Sequence, residues 1–187
     1  MISEEVQKCV EIIRKGGVIL YPTDTIWGLG CDPKNEQAIE KINQIKNRDE
    51  SKSYIMLVAE ERQLNFYVPE IPDICYDLID FAVRPTTIIY DNAKNVSPMI
   101  LAQDGSLGIR LTKDPFCQKL CQQLKTGVVS TSANISGAAS PQSFNEIEDS
   151  IKNSVDYIVN LRQNEKMTTP SSILKIGTNG EVKIIRK

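Results

Sequence analysis

The sequence predicts an α/β fold built on a mixed sheet. Two observations carry that prediction. Stretches of helical period alternate with short apolar, β-branched runs along all 187 residues. The alternation then closes on two strand-like runs that flank Asn179-Gly180, a hairpin signal. No internal repeat, low-complexity tract or Pro/Gly-rich linker interrupts the pattern, so a single domain over residues 1–187 is expected.

The elements follow in order. Val6, Cys9, Val10 and Ile13 recur at helical spacing, and Gly16 and Gly17 stop that helix. Val18 to Tyr21 is a short apolar strand ended by Pro22. Ala38, Ile39, Ile42 and Ile45 mark a second amphipathic helix that ends near Lys46. Tyr54 to Val58 reads as a strand, Asp73 to Ala82 as a helix, and Thr86 to Tyr90 and Leu107 to Leu111 as strands. Asp114-Pro115 has the form of an N-cap with proline at the first helical position. Phe116, Leu120 and Leu124 line one face of the helix it opens, and Gly127 is expected to close it before a strand starting at Val128. Ser143 and Glu146 have capping-box spacing, predicting a short helix. Tyr157 to Val159, Ser172 to Ile176 and Val182 to Ile185 complete the strands.

Composition narrows the chemistry. The chain is 41% hydrophobic and 25% charged with a formal net charge of -2, so bulk charge makes no case for nucleic acid. No stretch approaches the roughly 18 apolar residues that cross a bilayer. The N-terminus lacks the continuous apolar run of a signal peptide, so a cytoplasmic location is expected. Five cysteines, an odd number, are expected to be reduced and to serve packing. The chain has no histidine, which excludes Ser-His-Asp and Cys-His catalysis and histidine-ligated metals. Chemistry is left to Lys, Arg, carboxylates, hydroxyls, backbone amides or an ion brought by a substrate.

Four segments carry such groups. Tyr21 to Asp32 leaves a strand and concentrates Thr23, Asp24, Thr25 and Trp27 beside Gly28 and Gly30, where α/β sheets place ligands. An ordinary turn with Thr and Asp bonded to local amides fits it about as well. Lys46, Arg48 and Lys52 put three cations within seven residues, enough to grip a polyphosphate, although Asp49 and Glu50 would neutralise them in a solvated loop. Ser130 to Pro141 is a run of small hydroxyl residues after an apolar strand, suited to close approach by phosphate or carboxylate. Arg110 interrupts an apolar strand and is either solvated, paired with a carboxylate or a clamp on a substrate carboxylate.

Taken together, GGVILYPTDTIWGLGCD, KNR followed by KS, GSLGIRL, STSANISGAASP, and PSSIL followed by IIRK resemble the YrdC/TsaC family of L-threonylcarbamoyladenylate synthases, in its single-domain form. The resemblance runs from Gly16 to Arg186. It implies a YrdC-like twisted mixed sheet flanked by helices, with a deep positively lined cavity. It implies formation of threonylcarbamoyl-AMP and pyrophosphate from ATP, L-threonine and bicarbonate or CO2, with Mg2+ accompanying ATP and no metal held by protein side chains. A tRNA-modifying threonylcarbamoyl transferase complex then uses the product at adenosine 37. By position, Lys46 and Arg48 would act on the ATP phosphates as the catalytic cations. Ser106, Ser132, Asn134, Ser140 and Arg186 would face the nucleotide, while Thr23, Arg110, Ser130 and Ser171 would hold threonine. Lys52 and Ser53 would belong to a covering loop. No dedicated general base is expected, and Asp24 is the one candidate. The chain departs from the family at Asp49, at Ser53 and at Val83 to Thr87. The alternative readings are an RNA-binding YrdC-like protein without adenylate-forming activity, a carbamoyltransferase like the YrdC part of hydrogenase maturation factors, and an inactive paralogue.

Overall fold

A computed structural model describes residues 1–48, 54–177 and 179–187. Helix α1 (Ile2–Arg14) ends where Gly16 takes a left-handed φ of 84°, and the Gly16 and Gly17 amides bond back to Ile13 and Ile12. Strands β1 (Ile19–Tyr21) and β2 (Gly28–Gly30) pair antiparallel across the 22–27 turn. Helix α2 (Glu36–Lys46) starts on Asn35, whose side chain accepts the Ala38 amide, and ends on left-handed Asn47. Strand β3 (Ile55–Val58), α3 (Glu61–Tyr67), α4 (Asp73–Asp80) and β4 (Thr86–Tyr90) follow. Then come β5 (Leu107–Leu111), α5 (Pro115–Leu124), β6 (Val128–Ser132), α6 (Asp149–Lys152), β7 (Tyr157–Ile158), β8 (Ser172–Ile176) and β9 (Val182–Arg186).

The nine strands form one mixed sheet in the order β7-β1-β2-β6-β3-β5-β4-β8-β9. Alternation along the strands sorts the core into two faces. Ile19 and Tyr21, Leu57 and Val128 pack with Val6, Cys9, Val10 and Ile13 of α1 and with Phe116, Cys117, Leu120 and Cys121 of α5. Val18 and Leu20, Met56 and Val58, and Val129 turn the other way, onto Ala38, Ile39 and Ile42 of α2. All five cysteines are free and buried in these cores. Among the described residues no helix is long and apolar enough to cross a membrane.

Four local expectations change. The Gly28–Gly30 segment is a strand, not a loop, because its backbone fills the gap between β1 and β6. Helix α5 closes at Lys125, in the left-handed region at φ 58°, rather than at Gly127. Gly127 answers to packing instead: a Cβ there would lie 2.8 Å from Met56 Sδ and 3.0 Å from the Leu57 carbonyl. The Ser143 hydroxyl bonds the Glu146 carboxylate rather than a backbone amide, so a single 3-10 turn forms there, and the α-helix begins only at Asp149. Helix α3 has no counterpart in the sequence reading.

Candidate functional site

The 22–27 turn is shaped by one hydroxyl. Thr23 Oγ1 accepts the amides of Thr25 (3.0 Å) and Ile26 (3.2 Å) and lies 2.8 Å from Thr25 Oγ1. The turn thereby wraps around its own threonines, as Ser/Thr turns do, and delivers Trp27 and Gly28 to the sheet. Its inner side walls a cavity of about 200 Å³. Opposite the turn lie Arg110 of β5, Ser130, Thr131 and Ser132 of β6, Ser140 beyond it, Ser171 before β8 and Arg186 at the end of β9.

Two arginines give this cavity its charge. Arg110 is only 4% exposed. Its Nη2 lies 3.1 Å from Asp24 Oδ1, an ion pair whose angle falls short of a hydrogen bond, and 3.4 Å from Thr25 Oγ1. Its Nε is buried with no hydrogen-bond partner among the described residues. A buried guanidinium donor without an acceptor costs free energy, and an anionic ligand would relieve it. Arg186, solvent-accessible on the far side, donates to the Ser171 carbonyl (2.9 Å) and Ser171 Oγ (3.3 Å). Burial, and then the positive charge of Arg110, lower its pKa. Two like charges thus face one small space. Burial pushes the Asp24 carboxyl up, against the pull of Arg110. Ser171 is fixed in turn by Thr87, with 2.9 Å between their hydroxyl oxygens.

The structure brings seven of the expected site residues to this cavity: Thr23, Arg110, Ser130, Ser132, Ser140, Ser171 and Arg186. The other four described ones lie outside its lining. Lys46 is 2% exposed, and its ammonium donates to the carbonyls of Ser132 and Asn134. The Ser136 amide returns a bond to the Lys46 carbonyl, so the end of α2 is stapled to the hydroxyl-rich loop. Arg48 lies over the Tyr54 ring, 4.1 Å from its centroid, and donates to Thr131 Oγ1 at 3.0 Å, reaching the cavity wall through that hydroxyl. Asn134 spends its amide on the carbonyls of Ile135 and Ala138, leaving Oδ1 without a partner among the described residues. Ser106 is turned onto Asp104 at 2.5 Å. Lys52 and Ser53 lie outside the described residues. The sequence reading did not commit to Thr25, Trp27 or Thr131, which also line the cavity. All three lie in segments it singled out, Thr25 and Trp27 within Tyr21 to Asp32 and Thr131 within Ser130 to Pro141.

Fold and cavity together define an α/β protein with a hydroxyl-lined cavity that carries two arginines. The Sua5/YciO/YrdC family, described as telomere recombination, matches residues 11–187, and the chain belongs to that family. The threonylcarbamoyl-AMP synthase of Pseudoalteromonas translucida is 35% identical over 176 residues, which cover 92% of this chain and 93% of the relative. That of Pseudomonas aeruginosa is 33% identical over 161 residues, covering 85% and 86%. Among solved structures, E. coli YciO superposes with a TM-score of 0.82 at 24% identity, covering all of this chain and 90% of the other. P. abyssi Sua5 complexed with L-threonine superposes with a TM-score of 0.79 at 24% identity, covering 91% of this chain and 50% of that one. At that identity the two structures establish the fold.

Proposed function

We propose that the chain is a nucleotidyltransferase that makes threonylcarbamoyl-AMP and pyrophosphate from L-threonine, bicarbonate and ATP. The curated relatives that cover most of its length carry the name of that reaction. The observation that carries the reading is the convergence of Arg110 and Arg186 on a cavity walled by Thr23, Thr25 and the β6 hydroxyls.

The reaction brings a carbamate and a carboxylate, both anionic, against a triphosphate. The threonine amine and bicarbonate lose water to give a carbamate. A carbamate oxygen attacks the α-phosphorus of ATP, the bond to the β-phosphate breaks, and pyrophosphate leaves. Repulsion between carbamate, carboxylate and triphosphate opposes the approach, so fixed cations that hold them in line are the chief catalytic need. The forked geometry of Arg110, whose Nε has no partner among the described residues, suits the threonine carboxylate, with the Thr23 and Thr25 hydroxyls beside it. Ser130, Thr131 and Ser132 offer donors that suit the α-phosphate in this reading; Arg186 lines the same cavity, and Arg48 reaches it through Thr131. Lys46 holds the carbonyls of Ser132 and Asn134 and so shapes the loop that would receive the nucleotide. Among the described residues no three carboxylate or thiol groups gather as a metal site. Magnesium in this reading arrives on the triphosphate, where it neutralises phosphate charge. Asp24 is held in its ion pair with Arg110, and bicarbonate or a phosphate oxygen takes the amine proton. The product then serves a threonylcarbamoyl transferase complex acting on tRNA. Five free, buried thiols are consistent with a reducing, cytoplasmic setting.

The test is pyrophosphate release from ATP, omitting L-threonine and bicarbonate in turn, with Ser132→Ala and Lys46→Ala as controls checked for folding. Release that needs both co-substrates and falls in Ser132→Ala is expected. Release independent of either, or none from the wild-type chain, would overturn the reading.

A further inference from the structure

Arg162 sits in the turn after β7 and has a left-handed φ of 56°. For a residue with a side chain that conformation costs roughly 1–2 kcal/mol. The same residue makes three charge-assisted or short hydrogen bonds. Its Nε donates to Glu165 Oε2 at 2.9 Å, Nη1 to Asp114 Oδ2 at 2.6 Å, and Nη2 to the Thr23 carbonyl at 2.7 Å.

Two of the three partners, Asp114 and Thr23, lead to α5 and to the cavity. Asp114 is buried and caps α5, its Oδ1 accepting the Phe116 and Cys117 amides. Thr112 fixes it from behind by accepting the Asp114 amide. Cys117 points its thiol at the Pro22 carbonyl, 3.7 Å away. Two successive carbonyls at the end of β1, those of Pro22 and Thr23, are thus tied to the first turn of α5. Everything downstream in the turn depends on where Thr23 is held. Its hydroxyl sets the amides of Thr25 and Ile26, Thr25 meets Arg110, and Asp24 pairs with Arg110. Arg162 itself does not line the cavity.

We propose that Arg162 is a positioning residue for the threonine side of the site: its guanidinium locks the Thr23 backbone to the N-terminus of α5 and so holds the 23–26 turn against Arg110. The inference rests on the proposed function for the identity of the ligand, and on the hydrogen bonds alone for the lock. A guanidinium is suited to the task because one planar fork reaches a carboxylate and a carbonyl together. An ammonium in its place keeps the charge but has no planar fork to hold the two acceptors in fixed directions.

The experiment uses the full chain as wild type, Arg162→Ala, Arg162→Lys and Glu165→Gln. Pyrophosphate release is followed while threonine and ATP are varied separately, and amide hydrogen exchange is followed at Thr25 and Ile26. Arg162→Ala is expected to raise the threonine KM about tenfold with the ATP KM within about twofold, matching loss of one charge-assisted hydrogen bond in the lock. Its Thr25 and Ile26 amides should exchange faster while the α2 amides do not. Arg162→Lys should recover part of the threonine KM, and Glu165→Gln should match wild type. A folded Arg162→Ala with wild-type threonine KM, or one in which both KM values rise together, overturns the proposal. Should Arg162→Ala fail to fold, Arg162→Lys and Asp114→Asn carry the same comparison. A wild-type chain without threonine-dependent release sinks the function reading separately, and the exchange measurement still decides whether Arg162 holds the turn.

Discussion

Replacing Arg110 by lysine separates its charge from its shape. The side chain is buried on β5, opposite Leu57 of β3, and its one ion pair among the described residues is with Asp24 at 3.1 Å. Alanine would be a poor probe, since removing one partner of a buried pair costs about 3–5 kcal/mol by leaving the other unpaired. The cost here would be reduced, because Asp24 is partly exposed and burial already favours its protonated form. Lysine keeps the cation beside Asp24 and forfeits the fork, including the Nε that has no internal partner among the described residues. If that fork grips the threonine carboxylate, the loss is one hydrogen bond to a charged group, about 1.5–3 kcal/mol. At 1.4 kcal/mol per decade this is roughly a tenfold to hundredfold rise in threonine KM. Initial rates of pyrophosphate release against threonine, at saturating ATP and bicarbonate, measure it directly. The ATP KM should stay within about twofold. A lysine variant with wild-type melting and an unchanged threonine KM would refute the assignment, as would a parallel rise in the ATP KM.

Four further outcomes follow from the packing. A Cβ at Gly30 would lie 2.8 Å from the Val129 carbonyl and 2.7 Å from the Tyr21 ring, so Gly30→Ala should lose about 1–3 kcal/mol in urea unfolding. Gly28→Ala, with its nearest contact at 3.2 Å, should lose less and instead raise KM, because Gly28 lines the cavity. Glu5 is 6% exposed, and burial alone would raise its pKa, but bonds from the Asn160 amide, Tyr157 and Lys8 outweigh that and hold it below 4.5. Its charge therefore stabilises the fold above pH 4.5, and that contribution disappears as pH falls through the depressed folded value. Glu5→Gln should be weaker than wild type by about 1–3 kcal/mol at pH 7, with the gap closing in acid; parallel stability curves would contradict this. Burial raises Cys9 and Cys121 to about 12, so native protein at pH 8 should present few thiolates to a disulfide reagent and react at all five cysteines only on unfolding. Rapid native labelling would show that the core opens.

Local chemistry made much of this fold readable. The Asp114-Pro115 cap, the glycines after α1 and the apolar spacing of α2 each act within a few residues, and the structure has each of them in place. What stayed hidden was set by contacts far along the chain. Gly28–Gly30 carries almost no side-chain signal, and its strand exists because β1 and β6 pair with it from either side. The sequence placed Lys46 at the edge of a basic loop, yet the direction of a helix-terminal side chain depends on what packs there. Here its ammonium faces the Ser132 and Asn134 carbonyls, 86 and 88 residues away.

The same distinction separates the two kinds of arginine in this molecule. Arg110 stood out because a charge breaks an apolar strand, a contrast visible between neighbours. Arg162 lies in a polar turn where a charge is ordinary, and its importance comes from Thr23, 139 residues earlier. The cavity is therefore lined by residues most of whose motifs can be read in sequence, while part of the geometry that aligns them is held by Arg162, which carries none. Substitutions at the lining residues should alter what binds. Those at Arg162 should alter how well one side of the cavity is formed, and they should do so without touching a ligand.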